Sequence, residues 1–280
     1  MRKISKDIKE INNNLFNKIL NFLSFTSENK FFFNLFGESI YGEYSILISS
    51  ILLLSSFSLF GKHHGEKKPL SAFMITGGCC HDYPKQKNII SEGISERVAT
   101  KWDIFFEMDE QKSKARLSKK GWADKYDYIV YNHCFAHEKD ASFVKSITDI
   151  HKAGKPAIAL HCAMHSYHWS IAAKEGEKKS WPLMLGASSK GHGPKAAITV
   201  NKVKEHANHP IMKDMPEGWL TPEGELYNVQ EVYEGTTVLA YGDNGKNKKP
   251  NEPQACIWLN THGKGRIFST TLGHHNSTMS

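Results

Sequence analysis

Residues 156–169, PAIALHCAMHSYHW, place three imidazoles and a thiol, those of His161, His165, His168 and Cys162, directly after a short apolar run. Comparable polar groups end other apolar runs. Gly77-Gly78-Cys79-Cys80-His81-Asp82 follows one, Asn132-His133-Cys134 with His137 follows another, and Gly273-His274-His275 follows the last. Between them lie His192 (between Gly191 and Gly193), His209-Pro210, and Glu225 within Gly224-Glu225-Leu226-Tyr227. Imidazoles and a carboxylate gathered on one rim suit a divalent metal such as zinc or manganese. The same set suits proton transfer near neutral pH. His81 beside Asp82 reads as a base with its orienter or as a ligand with outer support.

Each of these groups also has a plainer reading. A single histidine at a strand end is commonly a hydrogen-bonded structural residue, and His63, His64, His151 and His206 are expected at the surface. Cys79 and Cys80 read as packing thiols. Cys162 lies where a strand gives way to a helix, the setting of a nucleophile elbow, and a helix N-terminus favours thiolate. The glycines of a Gly-x-Cys-x-Gly elbow are absent, and His161 competes for the elbow position itself.

The elements that must position these residues are legible from residue 71 onward. Strands are expected at 72–75, 103–106, 128–131 and 157–160. Helices are expected along Ile90, Ile94 and Val98, and along Phe143, Ile147 and Ile150, the latter closed by Gly154. Strands alternating with helices predict a mostly parallel sheet with helices on both faces. In such sheets the working residues lie just beyond the carboxyl ends of the strands. Beyond about Trp181 the pattern changes to strands at 196–203, 237–241, 254–259 and 266–271 joined by loops, with Gly263-Lys264-Gly265 as a hairpin turn. These predict added antiparallel strands in the C-terminal half, with His192 and Glu225 carried on loops and residues 243–252 as a solvated loop.

With 280 residues, 40% of them hydrophobic, the chain can bury a full core. Residues 1–69 differ from the rest: they are rich in Asn, Lys, Phe and Ser and contain the uncharged run SILISSILLLSSFSLF at 45–60. That run has the length of a signal-peptide core and is short for a bilayer span. It predicts export (periplasmic or extracellular) or membrane anchoring, with the membrane met only through this segment. The net charge of +7 comes from scattered lysines without a basic, aromatic-laced stripe, which argues against nucleic acid. Five cysteines without a C-x-x-C pair predict neither a disulfide framework nor a zinc ribbon.

From about Phe73 to the end, the chain resembles the ThuA-like (trehalose utilisation) domain. The resemblance rests on pieces met in order. They are Gly78…His81-Asp82, Leu160-His161-Cys162-Ala163, Trp181-Pro182…Leu185-Gly186…His192-Gly193-Pro194, His209-Pro210-Ile211, Gly224-Glu225-Leu226-Tyr227, the segment 255–258, and Gly263-Lys264-Gly265-Arg266 with Thr271-Leu272-Gly273-His274. It implies a flavodoxin-like α/β fold related to class I glutamine amidotransferases, with the amidotransferase cysteine position filled by His161. It also implies a role in breakdown of trehalose or other disaccharides through 3-keto sugars, a bound divalent metal and export. Residues 1–69 have no counterpart in that family, whose members continue through a further helix beyond the position of Ser280, so residues 70–280 read as a ThuA-like domain shortened at its C-terminus.

The expected site follows from both readings. His161, Glu225 and His81 are the expected catalytic groups, and His161, His192 and His274 the expected metal ligands. Asp82, Cys162, Tyr227 and Arg266 are expected to meet substrate, a small sugar, with no nucleotide cofactor and with self-association left open. Two alternatives stand beside this enzyme. One is a carbohydrate-binding domain without turnover, in which Trp169, Trp181, Trp219 and Trp258 stack on sugar faces unless they are core. The other is a Cys162-dependent amidotransferase-like hydrolase.

Overall fold

Strand-forming stretches without polar alternation must be covered on both faces, and the protein's central strands are of this kind. In the computed structural model, which describes residues 68–138, 140–167, 180–246 and 253–280, β1 (Leu70–Gly78), β3 (Tyr128–Cys134) and β4 (Ala157–Leu160) are buried almost throughout. With β2 (Thr100–Phe106) and β11 (Gly265–Thr270) they form a parallel array in the order β2-β1-β3-β4-β11. The sheet continues antiparallel through β10 (Gln254–His262), β9 (Thr237–Asp243), β6 (Thr199–Lys202) and β7 (Trp219–Leu220). A separate two-stranded ribbon pairs β5 (Ala187–Lys195) with β8 (Glu225–Val232). The fold is thus mixed α/β, parallel in its first half and antiparallel in its second.

Helices cover both faces. On one lies α1 (Tyr83–Ser95), whose Ile90 and Ile94 pack with Met74, Val130 and Ile158. On the other lie α2 (Glu110–Leu117), α3 (Ala141–Lys152) and α4 (Ser180–Leu185), whose Leu117, Phe143, Ile147 and Trp181 pack with Phe73, Tyr131 and Trp258. The side chain of Asp109 caps α2 and that of Asp140 caps α3, each accepting two backbone N–H bonds. A last turn, α5 (Asn276–Met279), follows β11.

The predicted strands and helices of the N-terminal half are present, with β1 and β3 each running three residues further toward their carboxyl ends. Two expectations of the second half are corrected: His192 and Glu225 sit on strands β5 and β8, not on loops. His151 is buried, not superficial. Its Nδ1–H donates to the Lys155 carbonyl at 2.7 Å and its Nε2 lies 2.7 Å from the Tyr131 hydroxyl. His63, His64, His168, Trp169 and the 45–60 run lie outside the described residues. Among the described residues no helix is long and apolar enough to cross a membrane.

Candidate metal centre

The carboxyl ends of β1, β3, β4 and β11 lie side by side, so residues just beyond them must meet. Gly77 and Gly78 end β1 with φ of +140° and +89°. A Cβ on Gly78 would sit 2.2 Å from the Cys134 carbonyl oxygen, so only glycine lets β1 leave the sheet this close to β3. The turn carries His81 inward. At the end of β4, His161 opens a 3₁₀ turn (His161–His165) with φ of +45°. This left-handed strand-to-turn residue costs on the order of 1–3 kcal/mol and occupies the elbow position, with Cys162 one step beyond.

His161 is fixed from behind. Its Nδ1–H donates to the Thr271 carbonyl at 2.6 Å, which leaves Nε2 as the ring's lone-pair nitrogen. That nitrogen is buried without a hydrogen-bond partner and lies 3.4 Å from Glu225 Oε2. His274 Nε2 lies 3.3 Å from Glu225 Oε1. His81 Nδ1 lies 3.2 Å from the Tyr83 hydroxyl, and its Nε2 is buried without a partner. One donor atom from each of His81, His161, Glu225 and His274 lies within 4.8 Å of the others.

The electrostatics keep His81 and His274 neutral near pH 7. Burial, with the neighbouring His161 and His274, pushes the His81 pKa down to about 3. Burial lowers His274 to about 4 against the opposing pull of Glu225. For Glu225, burial alone would raise the carboxyl, but its close contacts with His161, His274 and His192 hold it down at about 2. Neutral His81 and His274 beside an ionised Glu225 are protonation states that suit a cation. Two ligands on a tetrahedral zinc with N and O bonds of 2.0–2.2 Å stand about 3.4 Å apart, the separation found here. Without a shared cation or proton, the His161 lone pair and the Glu225 oxygen would repel. The donor set therefore fits a divalent metal.

The other expected site residues divide by place. His192 is half-exposed; its Nδ1–H donates to the Gly193 carbonyl at 2.9 Å and faces Glu225 Oε1 at 3.3 Å, so this nitrogen is not a lone-pair donor. Tyr227 is buried beneath the centre, its ring 4.5 Å from that of His161 and stacked on His165 at 4.1 Å. Asp82 is turned to Asn276 at 2.9 Å and Lys85 at 3.2 Å, away from His81. Arg266 is not at the site. Its neighbour Ile267 pairs with Ala157, the first residue of β4, which puts Arg266 about 16 Å of strand before Thr271. His209 accepts the Ile211 N–H and serves a turn. His133 is buried among Tyr131, Phe135, Tyr167 and Trp181.

The cysteines differ most from expectation. Cys79 and Cys80 are exposed and joined to each other, and Cys134 is joined to Cys162, so the described residues hold two disulfides where none was expected. Trp181 and Trp258 are core residues, with their indole N–H groups donating to the Ala163 and Leu185 carbonyls.

Sequence reading missed the supports. Gln86 donates to the carbonyls of Gly273 and His274 at 3.3 and 3.2 Å and accepts from Asn132 at 3.3 Å, which clamps the His274 loop to β3. A glutamine on the buried face of α1 was the available signal. The centre opens into a cleft of about 490 Å³ edged by His165, His192, Lys195 and the cysteines, a volume within the small-molecule range.

The family model for ThuA, described as trehalose utilisation, matches residues 76–280. The chain belongs to the ThuA family. Among solved structures it is similar to a ThuA-like protein from Parabacteroides merdae, at 14% identity and a TM-score of 0.59 over 75% of this chain and 82% of that one. It is also similar to a ThuA-like protein from Bacteroides uniformis, at 13% identity and a TM-score of 0.55 over 76% of this chain and 85% of that one. At such identities the likeness speaks for the shared ThuA-like fold. No curated protein matches the sequence.

Proposed function

We propose that this ThuA-family protein acts in carbohydrate catabolism on 3-keto derivatives of trehalose or related disaccharides, by metal-assisted acid/base chemistry. The observation that carries the reading is the bare His161 Nε2 held against Glu225, with His274 and His81 closing the set. These four residues would hold a divalent cation such as zinc or manganese, which when bound would polarise the carbonyl of a keto sugar. The order β2-β1-β3-β4-β11 supports a flavodoxin-like, amidotransferase-related core.

The chain's own groups then do the rest. A carbonyl at C3 of a sugar acidifies the neighbouring C2–H. His192 carries its ring proton on Nδ1, so Nε2 is the nitrogen that takes a proton and later returns it. Glu225 stays ionised and favours the imidazolium that forms. Lys195, paired with Glu225 across the ribbon, adds positive charge at the cleft wall where an oxyanion develops. The 45–60 run would export or anchor the protein.

The thiol-hydrolase alternative lacks support, because His161 holds the elbow and Cys162 is tied to Cys134. The binding-only alternative uses the same cleft and is separated by turnover. The test is incubation of the zinc- or manganese-loaded full chain with 3-keto-trehalose. We expect loss of the keto sugar that a chelator stops and added metal restores. Binding without consumption would leave the recognition reading, and neither would overturn both.

A further inference from the structure

Beside the imidazole–carboxylate centre, three adjacent strands each deliver sulfur to the same rim. Cys79 and Cys80 follow β1, Cys134 ends β3, and Cys162 follows β4. The sulfurs of Cys79, Cys80 and Cys134 lie within 4.8 Å of one another, and Cys162 is bonded to the last of them. The backbone is shaped for this approach. Gly78 has no room for a Cβ against Cys134, the Cys79 N–H points to the Cys134 carbonyl at 3.4 Å, and Cys80 takes a φ of +84°.

Packing does not account for Cys79 and Cys80, which are exposed, whereas Cys134 and Cys162 are buried beside Tyr83 and Cys256 is a buried free thiol. Chain cross-linking accounts for Cys134–Cys162, whose sequence separation is 28, but not for Cys79–Cys80. A disulfide between adjacent residues closes no loop and removes almost no entropy from the unfolded chain.

We propose that Cys79, Cys80, Cys134 and Cys162, when reduced, form a second metal site that takes a thiophilic divalent cation of the zinc class. Zinc–sulfur bonds of 2.3 Å set thiolates about 3.8 Å apart, within small side-chain rotations of the arrangement found. Opening each disulfide takes two electrons and two protons and yields two thiols; a dithiol supplies both and becomes a disulfide, whereas a phosphine supplies the electrons, water the protons, and phosphine oxide leaves. Cation binding then releases the thiol protons to solvent. The cation-bound and disulfide states exclude each other, so oxidation withdraws all four sulfur ligands at the rim of the sugar cleft.

The test uses the full chain under anaerobic conditions, with cobalt(II) as the probe, before and after phosphine reduction. The reduced protein should take about one more cobalt per chain than the oxidised protein and show a near-ultraviolet thiolate-to-cobalt charge-transfer band. The oxidised protein should lack that band. His161→Ala should keep it, and a Cys79→Ser, Cys134→Ser double variant should lose it. The exposed pair Cys79→Ala, Cys80→Ala, which disturbs no packing, should lose it too. The proposal is overturned if thiol titration confirms reduction and no extra cobalt or band is seen. It is equally overturned if the band survives in either double variant, or if a chain unfolded by reduction does not refold on adding cobalt.

Discussion

His161 and Thr271 are joined by a 2.6 Å hydrogen bond from the imidazole Nδ1–H to the backbone carbonyl, and that bond aims the opposite ring nitrogen at Glu225. Neither partner is near the other in sequence. β4 and β11 are parallel neighbours with Leu160 opposite Thr270, so their next residues meet by register alone. The tautomer of the central histidine is therefore a consequence of sheet topology.

The clamp on the His274 loop gives a first prediction. Gln86→Leu removes the donor to the Gly273 and His274 carbonyls and leaves Asn132 short of a partner. Metal affinity should fall by roughly 10- to 100-fold, as for other supports behind ligands. Stability should fall by about 1–3 kcal/mol. Isothermal titration and denaturant melts read the two separately.

His192 should separate chemistry from metal binding. It faces Glu225 but lies outside the four-donor set. His192→Ala should retain the metal and lose turnover on a 3-keto disaccharide by about 100-fold or more. A variant that loses metal instead would make His192 a ligand.

Gly78→Ala should be among the most disruptive single changes. It adds a Cβ 2.2 Å from a backbone oxygen at a φ of +89°. Loss of at least about 2 kcal/mol is expected, visible as a lower denaturation midpoint with little change in the slope.

His151 predicts an acid limb in stability. Burial holds its pKa at about 4, against 6.5 for a free imidazole, despite the favourable bond to the Lys155 carbonyl. As pH falls below 6.5 the unfolded chain takes the proton first, so stability declines between about 6.5 and 4. The size is on the order of 3 kcal/mol for this group. His151→Gln should remove this group's share of the limb in denaturant melts run across the pH range, leaving the share of the other buried imidazoles such as His133.

The parallel half of the fold was legible because its strands are unbroken apolar runs that end in polar clusters. The run at 157–160 coincides with β4, and the residues after it are the site. The ribbon β5–β8 was not legible. Ser188 to Lys195 carries no apolar alternation, and β8 (ELYNVQEV) shows no steady alternation and is buried only at its start, so both read as loop. Arg266 was misplaced because a motif near a histidine in sequence can stand at the opposite end of the same strand. The disulfides were hidden because strand order, not spacing, brings Cys134 to Cys162.

Metal content of the full chain, disulfides intact, measured beside His161→Ala, decides whether His161, Glu225, His274 and His81 hold a cation. We expect close to one equivalent of zinc or manganese after incubation with the salt and chelator-free washing, and a loss of most of it in the variant. Equal metal in the two proteins, or none in either, would contradict that expectation.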